Sequence, residues 1–243
     1  MATEPLSPLE EELLREHFPT REGRAEALSR LDAGEPLAYV LGEWYFYGET
    51  YHLNHACLIP RPDTEHLVDA LRELAPRGGT FLDLCTGSGC IAVSALVHRA
   101  DLTAVGVDIS PDALKMAEEN AALSGVSERI SFRQADVLAG GGCEGTFDVI
   151  VSNPPYIRTD VIPTLDTVTH EPRLALDGGE DGLNFYRAIL RHALPHLKDG
   201  GWLLLEIGYD QADDLRALLP GCEVRRDYGG NDRVVLWKKE ETL

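Results

Sequence analysis

One four-residue turn in the second half of the chain has residue types that could orient a reacting group. Asn153-Pro154-Pro155-Tyr156 follows the β-forming run "FDVIVS". A planar NH2 group has two hydrogens, and two fixed acceptors could hold both, namely the Asn153 side-chain oxygen and the Pro154 carbonyl. Proline fixes φ and so holds that carbonyl rigidly, while Tyr156 offers a flat face to an amide or a base. The plain alternative is a proline-rich turn that only ends a strand.

A glycine-containing loop earlier in the chain is a second candidate site. The segment "FLDLCTGSGCIAVSAL" predicts a strand that ends at Asp83, a sharp turn and then a helix. Glycines let the backbone approach a ligand closely. Their spacing here is neither that of a dinucleotide fingerprint nor that of a phosphate-binding loop. We expect ligand contacts from the loop residues Cys85, Thr86, Gly87, Ser88 and Gly89.

Acidic residues recur at the ends of three successive predicted strands. Asp83, Asp108 and Asp136 would meet at one edge of a parallel sheet, beside the glycine loop. Asp108 could accept both ribose hydroxyls of a nucleoside, Asp136 could accept from an adenine amino group, and Val137 could pack on the ring. Each acid alone is an ordinary loop residue, but the three together predict an adenosine site. A ligand that contains adenosine but no pyrophosphate group would need no phosphate-binding loop. These features point to S-adenosylmethionine.

Hydrophobic patterning predicts the elements that must position these groups. Short, almost wholly apolar runs separated by helical segments are typical of a parallel sheet covered on both faces. A Gly-Gly turn within "CEVRRDYGGNDRVVLWKK" predicts an antiparallel hairpin at the sheet edge. Helices are predicted from Pro111 to Leu123 and from Asp181 to Leu197. The predicted parallel strands are "TFLDLC", "LTAVGVDI", "ISFRQADV", "FDVIVSN" and "WLLLEIG".

The N-terminal part of the chain has a different pattern. Ser7-Pro8-Leu9-Glu10 is a capping box that begins a helix, and a second helix is predicted from about Arg21 to Leu31. Alternating aromatic and β-branched residues then predict a hairpin, followed by a proline-rich turn and a helix from Asp63. We therefore divide the chain into a short helical segment (1–35), a β-hairpin linker (36–62) and an S-adenosylmethionine-binding domain (63–243).

Composition and charge exclude several classes of function. The 243-residue chain has a formal net charge of −19, which argues against free nucleic acid as its main partner. No apolar run approaches the roughly 18 residues of a membrane span, and the charged N-terminus is not a signal peptide. The five cysteines have no CxxC pairing, so we interpret them as reduced thiols in a cytoplasmic protein without a metal site.

Taken together, these motifs identify a family. The chain resembles the protein-(glutamine-N5) methyltransferases that modify peptide-chain release factors, which have the class I S-adenosylmethionine-dependent methyltransferase fold. The resemblance extends from about Gly34 to the C-terminus. It is carried by "GEPLAYVLGEWYFYG", "LIPRPDTEHLV", "LDLCTGSGCIAVSAL", "VGVDISPDALKMAEEN", "VSNPPYI", "HEPRLALDGGEDGLNFYR", "GGWLLLEIG" and "RDYGGNDRVV".

The resemblance implies an α/β, doubly wound, mostly parallel seven-stranded sheet with a C-terminal antiparallel hairpin and a short N-terminal helical segment. It implies S-adenosylmethionine as cofactor, S-adenosylhomocysteine as product, and class 1 release factors as partners through the glutamine of a Gly-Gly-Gln tripeptide. The resemblance implies catalytic roles for Asn153, Pro154 and Tyr156, and substrate contacts from Asn153 to Tyr156. Cofactor contacts fall on Cys85 to Gly89, Asp108, Val137 and Asn153.

The chain departs from the family pattern in three places. The family usually has glycine at the position of Cys85 and often has an aromatic residue at the position of Val137. Its N-terminal helical domain, which helps to dock the protein substrate, is normally about twice as long as the lead-in here. The resemblance also places Arg61-Pro62 and Glu171-Pro172-Arg173 beside the substrate channel. For Arg61 we favour a structural ion pair.

Other functions remain open at this level. The same turn would serve a glutamine methyltransferase of a ribosomal protein, or a nucleic-acid amino methyltransferase that acts on adenine N6 or guanine N2. A nucleic-acid enzyme would have to flip its target base out of a duplex, and the acidic charge weighs against it. A non-enzymatic module that binds S-adenosylmethionine is a third possibility. No pattern in the chain indicates an oligomeric state.

Overall fold

The N-terminal part of the molecule consists of three short helices and a hairpin. The computed structural model describes residues 6–165 and 170–240. The predicted capping box is confirmed, because Glu10 N lies 3.3 Å from Ser7 Oγ and Ser7 N lies 2.7 Å from Glu10 Oε2. The two hairpin strands pair antiparallel, as the alternation predicts. The elements are α1 (Pro8–His17), α2 (Arg21–Asp32), α3 (Leu37–Leu41), β1 (Glu43–Phe46) and β2 (Glu49–His52).

The central element of the rest of the molecule is a seven-stranded sheet, in the order β10-β11-β9-β6-β3-β4-β5. The five strands from β9 to β5 run parallel, and β11 pairs antiparallel with both of its neighbours. A separate two-stranded ladder joins β7 to β8. The strands are β3 (Thr80–Leu84), β4 (Thr103–Asp108), β5 (Ile130–Gln134), β6 (Phe147–Ser152), β7 (Ile157–Arg158), β8 (Asp177–Gly179), β9 (Leu197–Glu206), β10 (Glu223–Arg226) and β11 (Asp232–Lys238).

Helices cover both faces of the sheet, which explains why its strands lack polar alternation. Phe81 of β3 packs into one hydrophobic cluster, while Leu82 and Leu84 pack into a second one. The doubly wound fold and the C-terminal edge hairpin are therefore confirmed. The remaining helices are α4 (Glu65–Leu74), α5 (Cys90–His98), α6 (Pro111–Leu123), α7 (Asn184–Ala188) and α8 (Ala212–Leu218).

Several predicted boundaries are wrong by a few residues. A 3₁₀ turn at Pro62–Thr64 precedes α4, so this helix begins at Glu65 and not at Asp63. The helix predicted from Asp181 begins at Asn184, because the Asp181 carboxylate accepts from Leu183 N and holds a turn there. It continues through a π turn (Ile189–Ala193) and a 3₁₀ turn (Leu194–His196). β5 ends at Gln134, two residues before Asp136.

Within residues 6–165 and 170–240, no helix has both the length and the apolar character that a membrane crossing requires. The division into three segments stays a prediction.

Candidate active site

A cleft opens at the carboxyl edge of the parallel strands. Its volume, which includes the open solvent space at its mouth, is about 1030 Å³. Most of the predicted site residues lie on its wall: Cys85, Thr86, Gly87, Ser88, Asp108, Asp136, Val137, Asn153 and Pro155. The other four, Asp83, Gly89, Pro154 and Tyr156, do not line it. The parallel sheet brings these segments together because its strands all end at one edge.

The loop between β3 and α5 depends on left-handed backbone conformations. Cys85 has φ +59° and Gly87 has φ +55°, a region that favours glycine. Gly87 N donates to Asp108 Oδ2 across 2.9 Å, and Asp108 Oδ1 accepts from Ser110 N at the same distance. Asp108 therefore ties the loop to the end of β4. Burial raises the pKa of its carboxyl group, and the backbone donors act in the opposite direction.

Gly89 and Asp83 support the loop from beneath the cleft. A Cβ on Gly89 would lie 3.1 Å from the Ala117 Cβ, so this glycine permits close packing of α5 against α6. Asp83 is fully buried, and its Oδ2 accepts from the Thr86 hydroxyl across 2.6 Å. Burial raises the pKa of Asp83 to about 7. Among the described residues its Oδ1 has no hydrogen-bonding partner.

Asp136 and Val137 lie in the segment that follows β5. Asp136 Oδ1 accepts from Leu138 N across 2.8 Å, which holds the turn, and both residues line the cleft. Val137 is buried and packs with the second hydrophobic cluster. The segment thus presents one carboxylate and one apolar side chain to the same cavity as the glycine loop.

Strand register places Asn153 beside two groups at the sheet edge. Ser152 pairs with Leu84 on one side and with Leu205 on the other, so the next residue, Asn153, is level with Cys85 and Glu206. Asn153 Nδ2 donates to the Thr64 hydroxyl across 3.1 Å. In the described part of the chain its Oδ1 accepts no hydrogen bond, which leaves that oxygen available to a ligand.

Glycines and a buried glutamine support the Asn-Pro-Pro-Tyr turn from outside the cleft. Gln211 Nε2 donates to the Tyr156 backbone carbonyl across 3.1 Å. A Cβ on Gly178 would lie 2.7 Å from the Tyr156 Cα, and one on Gly182 would lie 2.5 Å from the Tyr156 carbonyl oxygen. Sequence reasoning missed these roles, although the glycines of "LDGGEDGLNFY" were a usable signal.

A buried acid at the end of β9 was also missed. Glu206 is 1% exposed, and the Tyr156 hydroxyl donates to its Oε1 across 3.3 Å. Burial raises the pKa of Glu206 to about 7, while the hydroxyls of Thr64 and Tyr156 and the charge of Arg233 favour its ionised form. An acid that closes the apolar run "WLLLE" was the available signal.

The expected ion pair at Arg61 is present. Arg61 Nη2 lies 2.5 Å from Glu171 Oε2, and Ile59 N donates to Glu171 Oε1 across 3.2 Å. The Glu171 side chain is almost fully buried, whereas Arg61 and Pro172 line the cleft. The pair joins the segment before α4 to the segment after residue 170. Nowhere in the described ranges do three or more His, Cys, Asp or Glu side chains form a group that could hold a metal ion.

Comparison with known proteins places the chain among methyltransferases. Residues 62–172 match the family described as the methyltransferase small domain. A release factor glutamine methyltransferase from Agrobacterium fabrum is 42% identical over 228 residues, which are 88% of this chain and 78% of that protein. One from Caulobacter vibrioides is 40% identical and covers 91% and 82%, respectively.

A solved methyltransferase structure from Pyrococcus furiosus shares the fold, with a TM-score of 0.60 at 20% identity. The match covers 89% of this chain and 99% of that one. Identity of about 40% over most of both chains shows more than a common fold. The chain belongs to the release factor glutamine methyltransferase family.

Proposed function

We propose that this chain transfers a methyl group from S-adenosylmethionine to the side-chain amide nitrogen of a glutamine in a peptide-chain release factor. The observation that carries the proposal is the position of Asn153, which lies on the wall of the same cleft as the glycine loop and Asp108. The names of relatives that match most of the chain support the choice of substrate.

The residues on the cleft wall fit the proposed cofactor. An apolar cavity with a few convergent polar groups is typical of a nucleoside site. Asp108 Oδ2 and Oδ1 accept from Gly87 N and Ser110 N, and a carboxylate has about four acceptor sites, so acceptor capacity remains for ribose hydroxyls. Asp136 and Val137 would hold the adenine, and the loop from Cys85 to Ser88 would lie against the amino-acid part. S-adenosylmethionine would supply an electrophilic methyl group on its sulfonium.

The turn would orient the amide nitrogen of the substrate. A glutamine NH2 group is a weak nucleophile, because its lone pair is delocalised into the carbonyl. Asn153 Oδ1 would accept one hydrogen. The carbonyl of Pro154, a residue that does not itself line the cleft but lies between the wall residues Asn153 and Pro155, would accept the other, so the nitrogen would present its face to the methyl donor. Pro155 on the wall would help to exclude water. No general base is required, because the nitrogen becomes strongly acidic once it is methylated.

The proposed target is the glutamine of a Gly-Gly-Gln tripeptide in class 1 release factors, which places the reaction in the cytoplasm. Small glycine neighbours would let the glutamine side chain reach into a narrow cleft. The net charge of −19 opposes a polyanionic substrate and so favours a protein over free RNA or DNA.

A labelled methyl-transfer assay tests the proposal. Purified release factor, ribosomal proteins, tRNA, rRNA and DNA would each be incubated with the enzyme and methyl-labelled S-adenosylmethionine. We expect label on the release factor alone, and none after the tripeptide glutamine is replaced by alanine. Label that persists on the alanine variant, or that appears instead on a ribosomal protein or a nucleic acid, would contradict the proposed substrate.

A further inference from the structure

We propose that Arg61 binds the carboxylate in the amino-acid part of S-adenosylmethionine, and that Glu171 holds the Arg61 guanidinium in place for this purpose. The inference rests on the proposed function, because it concerns the cofactor of that reaction. It gives Arg61 a second role besides the ion pair with Glu171. The residues proposed for the adenine, the ribose and the glycine loop include no cation that could meet this carboxylate.

Arg61 is the one cationic side chain among the described residues on the wall of the cleft. Asp108 and Asp136 lie on the same wall, and the other lining residues include no further Asp, Glu, Lys, Arg or His. S-adenosylmethionine has the complementary charges, namely an ammonium, a sulfonium and one carboxylate. Acids on the wall attract the two cations of this ligand but repel its carboxylate. A cation on the wall is therefore needed to offset that repulsion, and Arg61 supplies it.

The guanidinium of Arg61 has donors available for a second carboxylate. Its Nη2 donates to Glu171 Oε2 across 2.5 Å, and in the described ranges its side chain makes no other hydrogen bond. A guanidinium has several N–H groups in a fixed fork, which can pair with both oxygens of a carboxylate. Another arginine of this molecule is shared in the same way, because Arg233 Nη2 lies 3.0 Å from Asp227 Oδ2 and 3.4 Å from Asp63 Oδ2.

Glu171 fixes the position of this guanidinium. The Glu171 side chain is 1% exposed, and its Oε1 accepts from Ile59 N across 3.2 Å while its Oε2 accepts from Arg61. The Arg61 side chain is 39% exposed and lines the cleft, so it extends from the buried acid into the open cavity. A guanidinium that is already ordered loses less side-chain entropy when a ligand binds, which favours affinity.

Arg61 lies at the end of the cleft where methyl transfer is proposed. It directly precedes the 3₁₀ turn at Pro62–Thr64, and Thr64 Oγ1 accepts from Asn153 Nδ2 across 3.1 Å. Burial raises the pKa of the Tyr156 hydroxyl, and the Arg61 charge is among the groups that lower it, so this charge acts on the same turn. The sulfonium must face Asn153 for transfer, and only a short carbon chain separates the sulfur of the cofactor from its carboxylate.

The substrate glutamine is a poorer partner for Arg61. Its reacting NH2 group needs acceptors, and a guanidinium has none. The nitrogen also gains positive charge as it receives the methyl group, which a nearby cation opposes unless carboxylates neutralise it. The competing acceptor for Arg61 is a backbone carbonyl of the release factor, and the KM for that protein distinguishes the two.

A cofactor analogue without the carboxylate tests the assignment. Calorimetry without release factor would measure the Kd of S-adenosylmethionine and of its decarboxylated form. We expect the wild type to bind the decarboxylated form roughly 10- to 100-fold more weakly, as for the loss of a hydrogen bond between charged groups. Arg61→Met should bind S-adenosylmethionine more weakly by a similar factor, and the decarboxylated form within about threefold of the wild type.

The buried carboxylate of Glu171 requires matched variants. Arg61→Met leaves this carboxylate without its ion-pair partner, which can destabilise the fold. The double variant Arg61→Met/Glu171→Gln removes that charge and should show the same loss of preference between the two ligands. Glu171→Gln alone keeps the guanidinium and should keep most of the preference. Arg216→Gln, on the surface of α8, should match the wild type. Melting temperatures show which variants are folded.

The inference is overturned if the wild type binds both ligands equally, or if the folded Arg61→Met or double variant keeps the wild-type preference. An unchanged Kd for S-adenosylmethionine in Arg61→Met together with a higher KM for release factor would also overturn it, because Arg61 would then contact the protein substrate. A wild-type enzyme that binds neither ligand refutes the proposed cofactor and this inference together. One that binds S-adenosylmethionine but labels no release factor refutes only the proposed substrate, and the ratio of the two Kd values still decides the role of Arg61.

Discussion

Gln211 Nε2 donates to the Tyr156 backbone carbonyl across 3.1 Å, and Gln211 Oε1 accepts from Gly208 N across 2.9 Å. One buried side chain thus joins the Asn-Pro-Pro-Tyr turn after β6 to the segment after β9. The Tyr186 hydroxyl also lies 3.2 Å from Gln211 Oε1. Because the glutamine bonds to backbone groups of both segments, it limits how far the turn can move from the sheet edge.

Replacing Gln211 should loosen the turn. We expect Gln211→Met, which has a similar volume but no amide, to lower stability by about 1–3 kcal/mol, because buried backbone groups lose their partners. Turnover should fall about tenfold, with little change in cofactor affinity. Urea unfolding and the transfer assay measure the two effects. Ala217→Ser, on the exposed side of the helix that follows, is the control. Equal behaviour of the two variants would argue against the support role.

Gly178 should tolerate no side chain. Its Cβ would lie 2.7 Å from the Tyr156 Cα, so Gly178→Ala must displace the backbone of the turn. We expect a loss of about 1–3 kcal/mol in stability together with a clear loss of turnover. Gly48→Ala provides the comparison, since Gly48 has φ +88° and a Cβ there would meet no atom within 4 Å. That variant should cost about 1 kcal/mol from backbone strain and should keep its activity.

Asn153→Ala should separate binding from transfer. The variant loses the acceptor proposed for the substrate amide but leaves Asp108 and the glycine loop unchanged. Cofactor affinity, measured by calorimetry, should stay within a few-fold of the wild type, and kcat should fall at least 100-fold. Asn54→Ala, an exposed asparagine before α4, controls for the general effect of the substitution. Unchanged turnover in Asn153→Ala would refute the role assigned to this residue.

Stability should depend on pH through two buried acids. The pKa values of Asp83 and Glu206 are raised from 3.8 and 4.5 to about 7 in the folded state. Between about pH 4 and pH 7 the folded chain therefore binds more protons than the unfolded chain, and the free energy of unfolding falls as pH rises. Acids with lowered pKa values, such as Asp177 and Asp181, act in the opposite direction and only at lower pH.

Urea unfolding at intervals from pH 5 to pH 8 measures this dependence. Asp83→Asn can still accept from the Thr86 hydroxyl but cannot ionise, so its stability should fall less steeply over the interval. Asp213→Asn, on the exposed surface of α8, should leave the slope unchanged. Identical slopes for Asp83→Asn and the wild type would show that Asp83 titrates at its ordinary pKa.

Cys85 should be replaceable by glycine. Its φ of +59° costs a residue with a Cβ about 1–2 kcal/mol, whereas glycine adopts this conformation freely. Glycine has a more flexible unfolded state, which offsets part of the gain. We expect Cys85→Gly to change stability by no more than about 1 kcal/mol, and Cys85→Val to lose more than that because of β-branching. Melting temperatures rank the three proteins, and a glycine variant that is less stable than the valine variant would contradict the strain argument.

Local sequence patterns were sufficient to predict most of the fold. The apolar runs predicted the parallel strands because a sheet covered on both faces needs no polar alternation. The capping box of α1 and the Gly-Gly hairpin were predicted because both are built from neighbouring residues. Helix starts were less accurate. The carboxylate of Asp181 and the turn at Pro62 shift the helix starts by two or three residues. Such turns compete with the first helical turn, and the periodicity of apolar residues does not reveal them.

The sequence by itself determined the family, the order along the chain of the strands that end in candidate functional residues, and the segments that meet at the cleft. These follow from the residue types at the ends of successive strands. Only the tertiary structure decided which groups face the cavity and which support them. Asp83 lies beneath the loop, and Thr64 and Glu206 reach Asn153 and Tyr156 from positions 89 and 50 residues away. Such contacts depend on strand register and on helix packing, which no local pattern encodes.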